Sequence, residues 1–450
     1  MKEKMNKILI LTVGSSCEPL VTAINMHKPE YVYFLCSDDS NLPHKKTAGS
    51  YTTVDGEGFP CKEWSGKNKP SIVNQTKLQD NQYEIVLIQN KDNLSDCYYA
   101  SIEAFKKARD NIPYAEILAD YTGGTKSMSS GLVAAALDDG EISLYIVGGE
   151  RLDLVKVRSG SQRIMKCSWM PLLWRRRIIT LKALFSKYDY NGCIEFIRQV
   201  SSEVLVGSEE DRVIQVYLTV AHAFSAWDNF NHEGALEDIL PYTKYFVQHK
   251  IFLEDIIRTK PALTDSCETN LSFSPVYDVL LNAQRRLSQE NFDDAVARTY
   301  RALELLAQIC LAFCKPPIYT GIVDPNDLPE KLREKYGFNQ MNMVKNKKES
   351  GAVSLQLGLV RSYELLSELN HPTGILVMSK QSRMLDLLKI RNESILAHGF
   401  SPINSEKAQE FYKFVVSLVL ETEKLLGIKK GFYTVFQFPL SIEQITQETE

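Results

Sequence analysis

The pattern of apolar residues changes once along the chain, near Trp169, and this change limits the architecture more than any other feature. Before it, five short runs rich in Ile, Val, Leu and Tyr stand at Ile8–Val13, Tyr31–Cys36, Glu84–Gln89, Ala115–Asp120 and Ile142–Gly148. Each is bounded by turn residues, as buried strands are. Helical periodicity fills the gaps at Glu18–His27, Ser95–Asp110 and Thr125–Leu137. The alternation predicts an α/β domain with a mostly parallel, doubly wound, Rossmann-like sheet. Residues 151–165 alternate, turn at Ser159-Gly160 and resume, which reads as a hairpin closing the domain.

After Trp169 the 3.6-residue period takes over. Helices are expected at Ile178–Tyr188, Asp211–Trp227, Tyr277–Ser288, Phe292–Phe313, Leu355–Leu369 and Ser382–Ala397, an all-α region. Three phrases, YDYNGCIEFI, FNHEGALEDIL and NFDDAVARTY, look like starts of helical hairpins, but their unequal spacing argues against a solenoid. Residues 316–351, rich in Pro, Gly, Asn and Lys, read as an exposed excursion. GFYTVFQF, near the carboxyl end, reads as a strand.

Charge excludes one class of partner surface. The 450 residues carry 52 Lys and Arg against 56 Asp and Glu, a net charge of −4, and neither half is basic. A broad nucleic-acid-coating face is therefore excluded, and any such ligand must sit in a local pocket. Nine cysteines are scattered and odd in number, and the opening MKEKMNK ahead of a six-residue apolar stretch is not expected to be a secretory leader. A reducing cytoplasm is the expected compartment. No apolar run approaches the ~20 residues that span a bilayer, so no membrane partner is expected. Cys310 and Cys314 are four apart without a second Cys/His pair, so buried core thiols are expected there and no metal.

Two loops leave the carboxyl edge of the predicted sheet, where doubly wound folds bind ligands. One is Gly14-Ser15-Ser16, and the other is Thr122-Gly123-Gly124-Thr125-Lys126. The second opens a helix whose free N–H groups attract anions. Its spacing matches neither the P-loop nor the G-x-G-x-x-G fingerprint. Two readings stand: a phosphate- or base-binding loop with Lys126 as its charge, or a tight strand-to-helix turn capped by Thr125.

Of seven histidines, only His398 has an arginine five to seven positions upstream, in Arg391-Asn392-Glu393-Ser394-Ile395-Leu396-Ala397-His398. On a continuous helix seven steps return to nearly the same face. Met384, Leu388 and Ile395 share that face, which is expected to be buried. A buried arginine needs a partner, and Glu393 points elsewhere, so the face reads as a two-fold interface. Paired Arg and His would suit metal-independent RNA cleavage, with histidine as acid or base and arginine steadying the phosphorane-like charge. The alternative is a plain helix end with His398 near the C-terminal dipole.

Taken together, the motifs resemble the CARF–HEPN proteins of type III CRISPR systems, ancillary ribonucleases activated by cyclic oligoadenylates. DYTGGTKSMSSGLVAAAL and Gly14-Ser15-Ser16 are similar to the CARF ligand pocket. Arg391, Asn392 and His398 match the HEPN Arg–polar–x–His signature, and NFDDAVARTYRALELLAQ is similar to a HEPN core helix. The resemblance implies a CARF-like sensor at 1–168, a helical connecting region at 169–280 and a HEPN-like ribonuclease domain at 281–450. It implies a cytoplasmic homodimer that cleaves single-stranded RNA in antiviral defence, with no cofactor, no metal and no DNA partner. The activator would be an allosteric cyclic oligoadenylate. Two other outcomes are carried: a non-enzymatic sensor whose helical domain binds a partner, and a ring nuclease acting in the CARF pocket.

Overall fold

The computed structural model describes residues 6–39, 49–62, 68–149, 161–167, 170–201, 204, 207–263, 271–321, 323, 328–337, 343–344, 354–355, 357–429 and 431–447. They divide into two compact units, Met1–Arg177 and Ile178–Glu450.

The first unit is built on six strands: β1 (Lys7–Thr12), β2 (Tyr31–Ser37), β3 (Tyr83–Ile88), β4 (Glu116–Asp120), β5 (Ser143–Gly148) and β6 (Arg163–Lys166). Their order is β3-β2-β1-β4-β5-β6, parallel throughout except for β6, which runs antiparallel to β5. Strand residues alternate between two cores because side chains alternate across a pleated sheet. Ile8, Ile10, Tyr33, Leu35 and Ala119 face one core, with helices Leu94–Asn111 and Lys126–Asp139. Leu9, Leu11, Val32, Phe34 and Leu118 face the other, with helix Glu18–His27. Gly131 permits the first two helices to touch, since a Cβ there would lie 2.7 Å from that of Cys97. The predicted strands and helices of this region recur within a few residues. Of the hairpin expected at 151–165, residues 151–160 lie outside the described residues, and the rest enters β6.

Cys17 and Cys61 form a disulfide with a Cα–Cα distance of 5.7 Å. The scattered cysteines gave no sign of this pair, because Cys61 reaches Cys17 only through the chain path after β2. It ties the amino end of helix Glu18–His27 to the isolated bridge between Cys61 and Lys69. A link across 44 positions stabilises by about 2–4 kcal/mol through the unfolded chain. Cys17→Ser is therefore expected to lower the melting temperature by about 5–10 °C in oxidising buffer. The gap should close when both proteins are measured with excess dithiol, and a gap that persists would trace the loss to packing instead.

The second unit is helical. Its helix connections share one device. Tyr188, Phe230, Glu290 and Asn370 have φ of 59°, 62°, 61° and 58°, each one residue before a helix-capping position. In each, the capping N–H closes on a carbonyl five residues back: Asp189 on Leu184, Asn231 on Ala226, Asn291 on Arg286 and His371 on Leu366, at 2.9–3.0 Å. This is the left-handed helix stop, made here without glycine. Three of the four were visible as the recurrent phrases.

Several buried charged groups of this core are paired. Asp278 accepts from Trp227 Nε1 (2.8 Å) and lies 2.9 Å from His232 Nε2. Asp228 accepts from Arg285 Nε at 2.7 Å. Burial lowers the Arg285 pKa to about 10, and the Phe438 ring lies 3.6 Å from its guanidinium carbon. The tail holding Phe438 is not the strand expected from GFYTVFQF. It forms a short 3₁₀ turn, Phe432–Thr434, then buries Phe438 among Tyr190, Phe224 and Trp227. Of the excursion at 316–351, much lies outside the described residues, and helix Glu330–Gly337 belongs to the rest.

Cys310 is buried, which pushes its thiol up to about 12, and Cys314 is half-buried. Among the described residues no three His, Cys, Asp or Glu side chains gather as a metal site, and no helix is long and apolar enough to cross a membrane.

Candidate functional site

Two places in the molecule carry the residues singled out above, one in each unit. The first lies between β1 and β4. The chain winds from β1 outward through β2 and β3, then crosses to β4 and winds the other way. The loops after β1 and β4 therefore lead to helices on opposite faces of the sheet from one point of its carboxyl edge, where such folds bind ligands. The structure brings the two predicted loops together there. Thr12 Oγ1 donates to the Gly123 carbonyl at 2.7 Å. A Cβ on Gly14 would lie 2.8 Å from Gly124 N, and one on Gly123 would lie 2.2 Å from the Thr12 carbonyl. Gly124 sits at φ 80°. These contacts need bare backbone.

The hydroxyls then separate into two groups. Thr122 Oγ1 donates to buried Asp120 and accepts from Val147 N–H at 2.7 Å. Thr125 is the helix cap, accepting from Met128 N–H at 3.3 Å and donating to the Lys91 carbonyl at 2.6 Å. Both are committed to the scaffold. Among the described residues, Ser15, Ser16 and Lys126 have no side-chain partner, and Ser15 and Lys126 are exposed. These three have no bond to the scaffold and stand beside the amino end of helix Lys126–Asp139. Asp120 lies beneath them. Burial raises its carboxyl to about 6, against the pull of two bonds from Thr122, and its Oδ2 has no partner.

The second place is the end of helix Gln381–Glu393. The sequence reading carried this helix to Ala397, with Arg391 and His398 on one face. The helix instead stops at Glu393. Ser394 caps it, donating its N–H (3.2 Å) and Oγ–H (2.8 Å) to the Arg391 carbonyl. The chain then doubles back. His398 N–H bonds the Asn392 carbonyl at 3.2 Å, Gly399 N–H bonds the Ser394 carbonyl at 3.2 Å, and Ser401 N–H bonds the Glu393 carbonyl at 3.0 Å. The fold-back passes so close that a Cβ on Gly399 would lie 2.0 Å from the Glu393 carbonyl oxygen.

Arg391, Asn392 and His398 are thus gathered by a loop, not by helical periodicity. The expected buried face also divides. Met384 and Leu388 are buried, while Ile395 is 57% exposed, and beside it Leu396 and Phe400, outside that face, are 54% and 88% exposed. The arginine is partly exposed, and among the described residues it pairs with no carboxylate. Its Nη1 donates to Asn392 Oδ1 at 3.1 Å, and its guanidinium carbon lies 4.4 Å from the Tyr300 ring centroid. Gly399 and Tyr300 escaped the sequence reading as site residues. Gly399 follows His398 directly and was read only as a helix end, whereas Tyr300 has no local signal.

Comparison with known proteins places both units. Residues 265–421 match the Csm6 HEPN domain family. No curated protein sequence matches the chain. Among solved structures, Enterococcus italicus Csm6 bound to cyclic hexa-2′-fluoro-hexa-dAMP is similar in fold, with a TM-score of 0.55 at 14% identity. The match covers 99% of this chain and 99% of that one. With a six-stranded switch-point sheet ahead of a helical unit, the chain shares the fold of that Csm6, and its segment 265–421 matches the Csm6 HEPN domain family.

Proposed function

We propose that this protein is a homodimeric, metal-independent endoribonuclease that cleaves single-stranded RNA when a cyclic oligoadenylate binds its amino-terminal unit. The observation that carries the reading is the Arg391–Asn392–His398 loop, folded back on itself inside the segment matching the Csm6 HEPN domain. Three exposed apolar side chains, Ile395, Leu396 and Phe400, adjoin it. An apolar patch beside a catalytic loop calls for a covering surface. A second copy of the same loop would supply it and set two Arg and two His in one cleft.

In that cleft the RNA 2′-hydroxyl would lose its proton to one imidazole and attack the adjacent phosphorus. The 5′-oxygen would leave with a proton from the other, giving a 2′,3′-cyclic phosphate and a 5′-hydroxyl. The Arg391 guanidinium would steady the extra charge on phosphorus. In the sensor, Gly14, Ser15 and Ser16 would face the ligand together with Thr122, Gly123, Gly124, Thr125 and Lys126. The free groups Ser15, Ser16 and Lys126 would bond to it, while Thr122 and Thr125 shape the loop. We place the sensor at 1–168, a connecting region at 169–280 and the HEPN-like domain at 281–450. The family match runs over residues 265–421, so it begins ahead of that last boundary and includes the whole of helix Ser274–Ser288. The ligand acts only through tighter binding to the cleaving arrangement.

The test is cleavage of single-stranded RNA in EDTA with cyclic tetra- and hexaadenylate. Stimulated cleavage that Arg391→Ala slows by about 10²–10³-fold is the expected result. No stimulation by either ring, or full activity in that variant, would sink the reading. Lys126→Ala should raise the activator concentration for half-maximal cleavage about tenfold, the worth of one charge-assisted bond. An unchanged activation curve would remove Lys126 from the pocket.

A further inference from the structure

Arg391 pairs with no carboxylate among the described residues. The Tyr300 ring lies against it instead, carried on helix Phe292–Ala312 some ninety positions upstream. A cation over an aromatic face is oriented without being neutralised. A carboxylate would hold the guanidinium more tightly, but would occupy the fork that a phosphate must fill. Burial, then the charge of Glu304 one turn further along the same helix, pushes the Tyr300 pKa up.

We infer that Tyr300 is a positioning residue for Arg391, its ring holding the guanidinium oriented and open toward a phosphodiester. This rests on the reading of Arg391 as part of an RNA-cleaving loop. It adds a specific prediction: the aromatic ring matters, and the hydroxyl matters less.

The experiment is single-turnover cleavage of single-stranded RNA by the full-length protein at saturating activator. Tyr300→Leu should slow the cleavage step about tenfold, equivalent to ~1.4 kcal/mol. The RNA concentration for half-maximal rate should move less than twofold. Tyr300→Phe should recover to within about threefold of the parent protein. Tyr300→Leu placed in an Arg391→Ala background should add no further loss, which a merely structural role would not predict. Tyr300→Phe as slow as Tyr300→Leu, or an additive loss in the double variant, overturns the inference. A slowed Arg391→Ala beside an unimpaired Tyr300→Leu overturns it alone. A fully active Arg391→Ala instead overturns the reading on which it rests.

Discussion

His398→Ala is expected to lose ligand-stimulated RNA cleavage by roughly 10²–10⁴-fold, the usual worth of a general acid or base. Activator binding and melting temperature should not change. The reason is the way the loop is tied. His398 is anchored by its own backbone N–H to the Asn392 carbonyl, and its side chain is exposed. Removing the imidazole therefore deletes a proton carrier and leaves the fold-back in place. Imidazoles change charge near neutral pH, which suits them to both proton transfers. Cleavage should be followed by gel at several pH values, with activator binding measured separately by calorimetry. A variant that still cleaves within threefold of the parent protein would assign the chemistry to another group.

Gly399→Ala should be nearly as damaging, for a different reason. The new methyl would lie 2.0 Å from the Glu393 carbonyl oxygen and 2.6 Å from the Glu393 Cα, both backbone atoms that cannot swing aside. The fold-back must open, and the bonds from His398 to Asn392 and from Ser401 to Glu393 go with it. Moving a catalytic group by about 1 Å can cost about a hundredfold. We therefore expect cleavage to fall about a hundredfold, with a stability loss of about 1–3 kcal/mol from overpacking. Activator binding, which belongs to the other unit, should be unaffected. The pairing of these two variants is informative. His398→Ala should be inactive and as stable as the parent, whereas Gly399→Ala should be inactive and less stable. A Gly399→Ala protein with parental activity would mean that the fold-back is not the working form of the loop.

The amino-terminal sheet was legible because each of its determinants is local. Continuous apolar runs such as Lys7–Thr12 and Tyr31–Ser37 can be buried on both faces only in a covered parallel sheet. The helices between them announce the crossovers. From that alternation the carboxyl edge follows, and with it the neighbourhood of Gly14–Ser16 and Thr122–Lys126. Which hydroxyls remain free does not follow. Thr122 and Thr125 look as ligand-ready in sequence as Ser15 and Ser16. Only the arrival of Val147 and Lys91, from other strands and loops, spends them on the scaffold.

The helical unit divides in the same way. Its hairpin starts were visible in recurrent phrases, because a left-handed stop and a cap are written in neighbouring residues. The end of helix Gln381–Glu393 was not, since nothing in Ser394-Ile395-Leu396-Ala397 forbids another helical turn. That turn gives way to a loop whose N–H groups find carbonyls of the last helical turn. The sequence alone thus determined the order of sheet and helices and the pairing of an arginine with a histidine seven positions on. The tertiary structure decided how they meet, by the fold-back at Gly399 and the Tyr300 ring against Arg391. It also decided that Cys17 finds Cys61. Such contacts join residues far apart in the chain or depend on where a carbonyl is left unpaired, and the period of apolar residues records neither.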